Sequence, residues 1–176
     1  MSAFTELDWR RLDVQAIVGA SGLAVIHEQQ RSPCLAWLGS NRYRVKTLDC
    51  RPGLSEAIPK LGLMLNWEEQ FGYGLDADNR NLDTLDDGFE FEIPVGEGCV
   101  FEVIGADLAW QEDARWLCGL LSIAQAHSRK HLALGRRFFT LLVLPENSGL
   151  IGTVIEDTRV PAMFWSPSRQ RHAFRG

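Results

Sequence analysis

Residues 43–66 read YRVKTLDCRPGLSEAIPKLGLMLN, and this stretch predicts a strand, a turn and a helix in that order. In its first seven residues, alternate side chains share one strand face: Tyr43, Val45, Thr47 and Asp49. The Arg-Pro-Gly sequence at 51–53 then predicts a turn. Apolar residues recur at helical spacing after it, at Leu54, Ala57, Ile58, Leu61 and Leu65. Pro59 falls inside this pattern, so we expect the helix to bend there or to begin late.

Three further elements follow downstream, and together they predict the fold class. GCVFEVIG (98–105) predicts a buried strand, and WQEDARWLCGLLSIAQAHSRKH (110–131) predicts a long amphipathic helix. RRFFTLLVLP (136–145) is a continuous apolar run, typical of a central strand that is covered on both faces. Helical connections between strands imply parallel pairing. We therefore expect an α/β protein with a small parallel sheet and helices packed on it.

Both ends of the chain are predicted to add strands to this sheet. Residues 14–27 predict a strand, or a hairpin bent at Gly19 or Gly22, and CLAWLG (34–39) predicts a second short strand. LIGTVIE (150–156) predicts a further strand, and a second apolar patch spans 160–165. The domain organisation expected from this pattern is an N-terminal β extension (1–42), an α/β domain (43–145) and a C-terminal extension packed on it (146–176).

The composition of the 176 residues is typical of a soluble globular protein. It contains no apolar run of about 18 residues and begins without an apolar signal region, so we expect neither a membrane span nor secretion. The four cysteines, at 34, 50, 99 and 118, are scattered without metal-ligand spacing. Reduced, mostly buried thiols of a cytoplasmic protein are the favoured interpretation, although two disulfides also fit the count.

The charge is distributed very unevenly along the chain. Residues 66–92, here called the acidic segment, read NWEEQFGYGLDADNRNLDTLDDGFEFE, with nine carboxylates and one arginine, Arg80. Residues 66–113 carry a net charge of −13, whereas residues 129–176 carry +5. Such an acidic region would repel phosphates, so we expect no direct binding of nucleic acid there.

The acidic segment does not match a metal site or a catalytic site. Asp76-x-Asp78 begins like an EF-hand, but Arg80 falls at a ligand position and Asn81 replaces the required glycine. Carboxylates in a loop and on an outer helix face lack the contrasting environments of a catalytic pair. The histidines, at 27, 127, 131 and 172, form no triad pattern, and hydrolase and nucleotide motifs are absent. We expect no enzymatic activity, no cofactor and no metal.

Residues 81–87 predict a short helix that presents carboxylates to solvent. Asn81 is the expected N-cap, Leu82 and Leu85 face inward, and the aspartates at 83, 86 and 87 face outward. Such a helix can complement a basic site on another protein. From charge alone, a merely solvated acidic face is an equally good interpretation.

The order of these elements resembles the barstar family of intracellular ribonuclease inhibitors. The family signature is an aromatic-Gly pair, then Asn-aromatic/Leu-Asp-Ala-Leu, then an acidic residue two positions on. Here the corresponding residues are Phe71-Gly72, then NLDTL at 81–85, then Asp87. Strand 43–49, strand residues 100–103, helix 111–130 and strand residues 138–144 resemble the family's other elements, so the resemblance covers about residues 43–145. It implies a barstar-like fold.

The resemblance also implies which residues contact a partner. Asn81 and Asp83 match the Asn and first Asp of the inhibitory helix, and Asp87 matches the aspartate that occupies the nuclease's phosphate site. Phe71 and Gly72 match the preceding loop; Tyr73, Asp86 and Glu90 are expected to complete the surface. Eight residues (73–80) stand where the family has about one. A second register instead places residues 74–77 on the motif without an insertion, but it loses the Asn and the second leucine.

The expected function is therefore that of an immunity or antitoxin protein. A monomeric chain would bind a basic ribonuclease toxin through its acidic helix and loop, with residues 73–80 at the rim adjusting specificity. The alternative is a barstar-fold interaction module that no longer inhibits a nuclease, because Asp86 replaces the aromatic residue that the family usually has there.

Overall fold

Four strands pair in parallel in one sheet in the computed structural model of the chain, which describes residues 11–155 and 158–161. The strands are β1 (Leu23–Ile26), β2 (Tyr43–Asp49), β3 (Gly98–Ile104) and β4 (Arg137–Val143). They lie in the order β1-β4-β3-β2, and all three neighbouring pairs are parallel. The predicted α/β class, with a small parallel sheet and helices packed on it, is confirmed.

One helix precedes β1, and the others lie in the connections between these strands. In the described residues they are α1 (Leu12–Gly19), α2 (Glu28–Ser40), α3 (Leu54–Met64), α4 (Trp67–Phe71), α5 (Leu82–Gly88) and α6 (Ala106–Ala133). The α3 helix begins before Pro59 and continues through it, so it does not begin late. None of the helices in the described ranges has the length and apolar character needed to cross a bilayer.

The central strands β3 and β4 form the middle of the core. All seven residues of β3 are buried, and so are six of the seven in β4. The register pairs Cys99 with Phe138 and Val103 with Leu142. Burial on both faces explains why residues 136–145 form a continuous apolar run instead of an alternating one.

The helices cover both faces of the sheet. The chain crosses from β1 at one edge to β2 at the other, and then returns through β3 to β4. Because crossovers between parallel strands are right-handed, this change of direction places α2 on one face and α3 to α6 on the other. The first face buries Ile26, Val100 and Phe139 with residues of α1 and α2. The second buries Phe101 and Phe138 with residues of α3 to α6.

The N-terminal region differs from its predicted structure. Residues 34–39 belong to α2, so the strand predicted there is wrong. Cys34 and Leu38 lie four residues apart and are both fully buried, which is the spacing of a helix face. Of residues 14–27, only Leu23–Ile26 form a strand, which pairs with β4. The described part of 1–42 is therefore helix, strand and helix rather than a β extension.

The C-terminal region contributes a small separate ladder. Its strands, β5 (Val154–Ile155) and β6 (Thr158–Arg159), pair with each other in antiparallel orientation. The strand predicted at 150–156 corresponds to β5, and this ladder is distinct from the four-stranded sheet. Most of the predicted apolar patch at 160–165 lies outside the described residues.

All four cysteines are free thiols. Three are buried, and Cys118 is half-buried. Burial raises the pKa of Cys34, Cys50 and Cys99 to about 12, so these thiols remain protonated at neutral pH.

A buried ion pair ties α2 to the centre of the sheet. Glu102 of β3 is fully buried, and both of its carboxylate oxygens accept hydrogen bonds from Arg31, at 2.7 and 2.9 Å. The hydroxyl of Thr47 on β2 donates a further hydrogen bond to Glu102 at 2.7 Å. A buried carboxylate depends on such partners because it has lost its hydration.

We expect Arg31→Ala to lower the free energy of unfolding by about 2–3 kcal/mol, because it leaves the buried Glu102 carboxylate without its cation. This loss is smaller than for a fully buried pair, since the Arg31 side chain is about one-third exposed. Arg44→Ala is the matched control, since Arg44 pairs with Glu97 at the surface and should cost less than about 1 kcal/mol. Urea unfolding measures both. Equal losses in the two variants would contradict the structural role of the Arg31–Glu102 pair.

Candidate functional site

Helix α5 lies in the acidic segment, on the same face of the sheet as α3 and α6. The side chain of Asn81 accepts a hydrogen bond from the backbone N–H of Asp83 at 2.8 Å, so the predicted N-cap is confirmed. Leu85 is buried and Leu82 is half-buried and packed against the core. The carboxylate-bearing side of the helix therefore faces away from the core, as the sequence pattern predicts.

Two glycines allow α5 to pack closely against its neighbours. A Cβ at Gly88 would lie 2.7 Å from Cε2 of Phe71 and 2.8 Å from Cζ3 of Trp67, both in α4. A Cβ at Gly119 of α6 would lie 2.3 Å from Cδ1 of Leu82. A larger residue at Gly88 would overlap two aromatic rings, whereas at Gly119 the flexible end of the Leu82 side chain would have to move. Both ends of α5 are thus fixed by contact, one against α4 and the other against α6.

The aspartates of α5 are exposed, and the chain neutralises them little. Asp83 and Asp87 form no ion pair with any residue in 11–155 or 158–161. Asp86 differs, because one of its carboxylate oxygens lies 3.4 Å from Nε2 of His127, although its side chain is still 58% exposed. Asp83 and Asp87 are therefore both available to an external partner.

The one cation of the acidic segment is engaged elsewhere. Arg80 forms an ion pair with Asp113 of α6 at 2.9 Å, and its guanidinium lies over the ring of Trp116. Asp113 interrupts the helical conformation of α6, and its side chain accepts a hydrogen bond from the N–H of Trp116 at 2.9 Å. Arg80 therefore anchors the loop before α5 to α6 and leaves the aspartates of α5 uncompensated.

The loop between α4 and α5 has its own hydrogen bonds. Asp76 accepts hydrogen bonds from the N–H groups of Asp78 and Asn79, at 2.9 and 3.0 Å. The Asn79 side chain donates to the carbonyl of Gly74 at 2.8 Å. Residues 74–77 are loop and α5 begins at Leu82, so of the two segments considered for the motif, 81–87 is the one that contains a helix.

Aromatic residues border this loop on the side of α4. The ring of Phe71 lies 4.5 Å from that of Trp67 and 6.2 Å from that of Tyr73, measured between centroids. Phe71 is half-buried, whereas Tyr73 is 44% exposed. Gly72 ends α4 with a φ of 77°, which favours glycine. Among the predicted site residues Phe71, Gly72 and Tyr73, Tyr73 is therefore the one with an exposed aromatic side chain.

Glu90 is the predicted site residue that lies apart from the others. It is exposed, but it follows the end of α5 and lines a cavity of about 260 Å³ together with Lys130 and Arg136. Glu90 therefore shares a pocket with two of the chain's own cations, in contrast to Asp83 and Asp87.

Two histidines beneath the site were not singled out from the sequence. His127 and His131 of α6 are buried, and their rings pack near Phe89 and Phe138 respectively. Burial lowers the pKa of both, that of His131 to about 4. His127 follows Ala124 by three residues and His131 follows His127 by four, so both continue the apolar stripe of α6. This spacing was the signal available in the sequence.

The described residues contain no cluster of three or more His, Cys, Asp or Glu side chains arranged to hold a metal ion. Comparison of the chain with protein-family models, with curated proteins and with solved structures found no significant match. The candidate site therefore stands on its geometry and charge, together with the resemblance in the sequence.

We expect acid to destabilise the protein through His131. Because its folded-state pKa lies below the value of about 6.5 for an unfolded histidine, the unfolded chain binds the proton more tightly. The resulting stability is present above about pH 6.5 and is lost as the pH falls towards 4, by at most about 3–4 kcal/mol. Urea unfolding at several pH values measures this loss. His131→Leu should flatten the dependence, and an unchanged slope would contradict the prediction.

Proposed function

We propose that this chain is a cytoplasmic inhibitor protein that binds the active site of a basic ribonuclease through α5 and the loop before it. The observation that carries the proposal is the pair Asp83 and Asp87, exposed on a firmly packed helix and free of ion pairs within the described part of the chain. The barstar-like order of elements and the Asn-Leu-Asp motif at its start support the same function.

The spacing of the two aspartates suits a cluster of cations. Residues four apart on a helix lie on one face, about 5–6 Å from each other. Like charges at this spacing disfavour the helix, by about 0.2–0.5 kcal/mol, so the arrangement is unfavourable to the isolated chain. Arginine, lysine and histidine side chains that hold RNA phosphates in a nuclease would relieve this repulsion. Their hydrogen bonds to the carboxylates would be charge-assisted.

The net charge of the region favours rapid association with such a partner. The acidic segment carries nine carboxylates and one arginine, and that arginine is paired with Asp113. Opposite charges on two proteins accelerate their encounter and select between partners, more than they increase affinity. The same field would repel RNA itself, so inhibition would proceed by binding the enzyme and not its substrate.

The surface departs from the family pattern at Asp86. An aromatic residue is usual at this position, but here Asp86 contacts His127 and leaves Tyr73 as the exposed aromatic side chain nearby. The hydrogen-bonded loop at 73–80 is also longer than in the family. Both features favour a ribonuclease partner whose rim differs from that of the family's usual target.

The proposal is tested by inhibition of RNA cleavage with a panel of small basic microbial ribonucleases. We expect tight inhibition of at least one enzyme, weakened about 100-fold by Asp87→Asn and about tenfold by Asp83→Asn. Glu28→Gln is the control, because Glu28 is an exposed carboxylate of α2 on the opposite face of the sheet, where it pairs with Arg51 at 3.5 Å. Raising the salt concentration should mainly slow association.

Stability measurements separate loss of binding from loss of folding in these variants. Asp87→Asn removes a like charge near the end of α5, so it should leave the free energy of unfolding unchanged or raise it by a few tenths of a kcal/mol. Asp83→Asn also removes a carboxylate that favours the first turn of the helix, so it should change the free energy of unfolding by less than about 1 kcal/mol. Full inhibition by both aspartate variants would contradict the proposed site. Specific capture of basic proteins without nuclease activity, and no inhibition, would favour the interaction module instead.

A further inference from the structure

An apolar groove lies beside the acidic helix, between the end of α3 and α4. Its volume is about 570 Å³, and its apolar lining includes Pro59, Leu63, Trp67 and Leu75. Trp67 and Leu75 are buried, whereas the Leu63 side chain is 77% exposed. Leu63 thus extends the apolar lining of the groove to the protein surface.

Close packing of the loop against α3 forms this groove. A Cβ at Gly62 would lie 2.8 Å from Cβ of Leu75, so the glycine lets the loop after α4 lie directly on the helix. Leu75 is thereby held at 3% exposure next to Trp67. Packing at the edge of the hydrophobic core therefore forms the groove before any partner binds.

The groove is continuous with the acidic helix through a single side chain. Trp67 lines the groove, and Cζ3 of the same indole lies 2.8 Å from the position of a Cβ on Gly88, at the end of α5. The indole Nε1–H is buried and has no hydrogen-bond partner among the described residues. A partner that binds the aspartates of α5 therefore lies within one side chain of an apolar hollow.

The charges around the groove are of one sign. Glu68 and Glu69 line it and are exposed, and they are the charged residues among its described lining. Asp76 and Asp78 lie in the loop that follows Leu75. An apolar side chain alone would leave these carboxylates without partners, whereas one flanked by lysine or arginine would engage both the groove and its rim.

We propose that this groove is the second half of the binding surface and receives one apolar side chain from a basic segment of the partner protein. This inference rests on the proposed function and deepens it, since the ribonuclease would present that segment beside its active site. The aspartates of α5 then determine the rate of association, and the groove determines how slowly the complex dissociates.

The test uses three pentapeptides as probes: KKFKK, KKSKK and EEFEE, each acetylated and amidated. The readout is the indole N–H resonance of Trp67 in ¹⁵N-labelled protein, assigned with Trp67→Phe, together with the amide resonance of Leu63. We expect millimolar KKFKK to shift both resonances, KKSKK to bind about fivefold more weakly or worse, and EEFEE not to bind. Leu63→Ser should remove the preference for KKFKK over KKSKK.

Val95→Ser is the matched control, because Val95 is an equally exposed apolar side chain that does not line the groove. It should leave the peptide preference intact. The inference is overturned if KKFKK does not shift the Trp67 and Leu63 resonances, if KKSKK binds as well as KKFKK, or if EEFEE binds equally well.

The outcome for the groove is separable from the outcome for the proposed function. For an inhibited ribonuclease, Leu63→Ser should raise the dissociation rate about tenfold with little dependence on salt. If the Leu63→Ser variant dissociates at the wild-type rate while Asp87→Asn inhibits weakly, the proposed role of the groove is overturned and the inhibitor function stands. If KKFKK binds in the groove but the protein inhibits no ribonuclease, the groove stands as a binding site and the inhibitor function is contradicted.

Discussion

The contact of Gly88 with the indole of Trp67 is the constraint on which the candidate site depends. It holds the end of α5 against α4, while Leu82 against Gly119 holds the beginning against α6. A seven-residue helix is too short to be stable alone, so these contacts must supply its order. Carboxylates on a helix that is already fixed lose little conformational freedom on binding, and this preorganisation favours affinity.

The distribution of ion pairs concentrates unbalanced charge at this helix. Arg31 is bound to Glu102 and Arg80 to Asp113, so both of these arginines stabilise the fold. Asp83 and Asp87 have no such partner in the described residues. Like charges four residues apart are unfavourable in the isolated chain, and the proposed partner would relieve this repulsion.

The sequence predicted the sheet and the acidic helix better than the N-terminal region. Strand 43–49 and helix α5 have clear periodicities, and Asn81 has the side chain that an N-cap requires. The six-residue run at 34–39 was misassigned because periodicity cannot separate a short apolar strand from a buried helical turn. Contacts between distant residues left no local signal: the partner of Glu102 is Arg31, 71 positions away, and the groove at Leu63 needs the loop at Leu75 to form.

The central claim is that Asp83 and Asp87 occupy the place of RNA phosphates in the active site of a nuclease. The most direct test is steady-state inhibition of a sensitive ribonuclease at increasing concentrations of RNA substrate. If the aspartates occupy the phosphate sites, inhibition is competitive, and the apparent inhibition constant rises in proportion to substrate above KM. An apparent inhibition constant that does not change with RNA concentration would place the protein elsewhere on the enzyme and contradict the account.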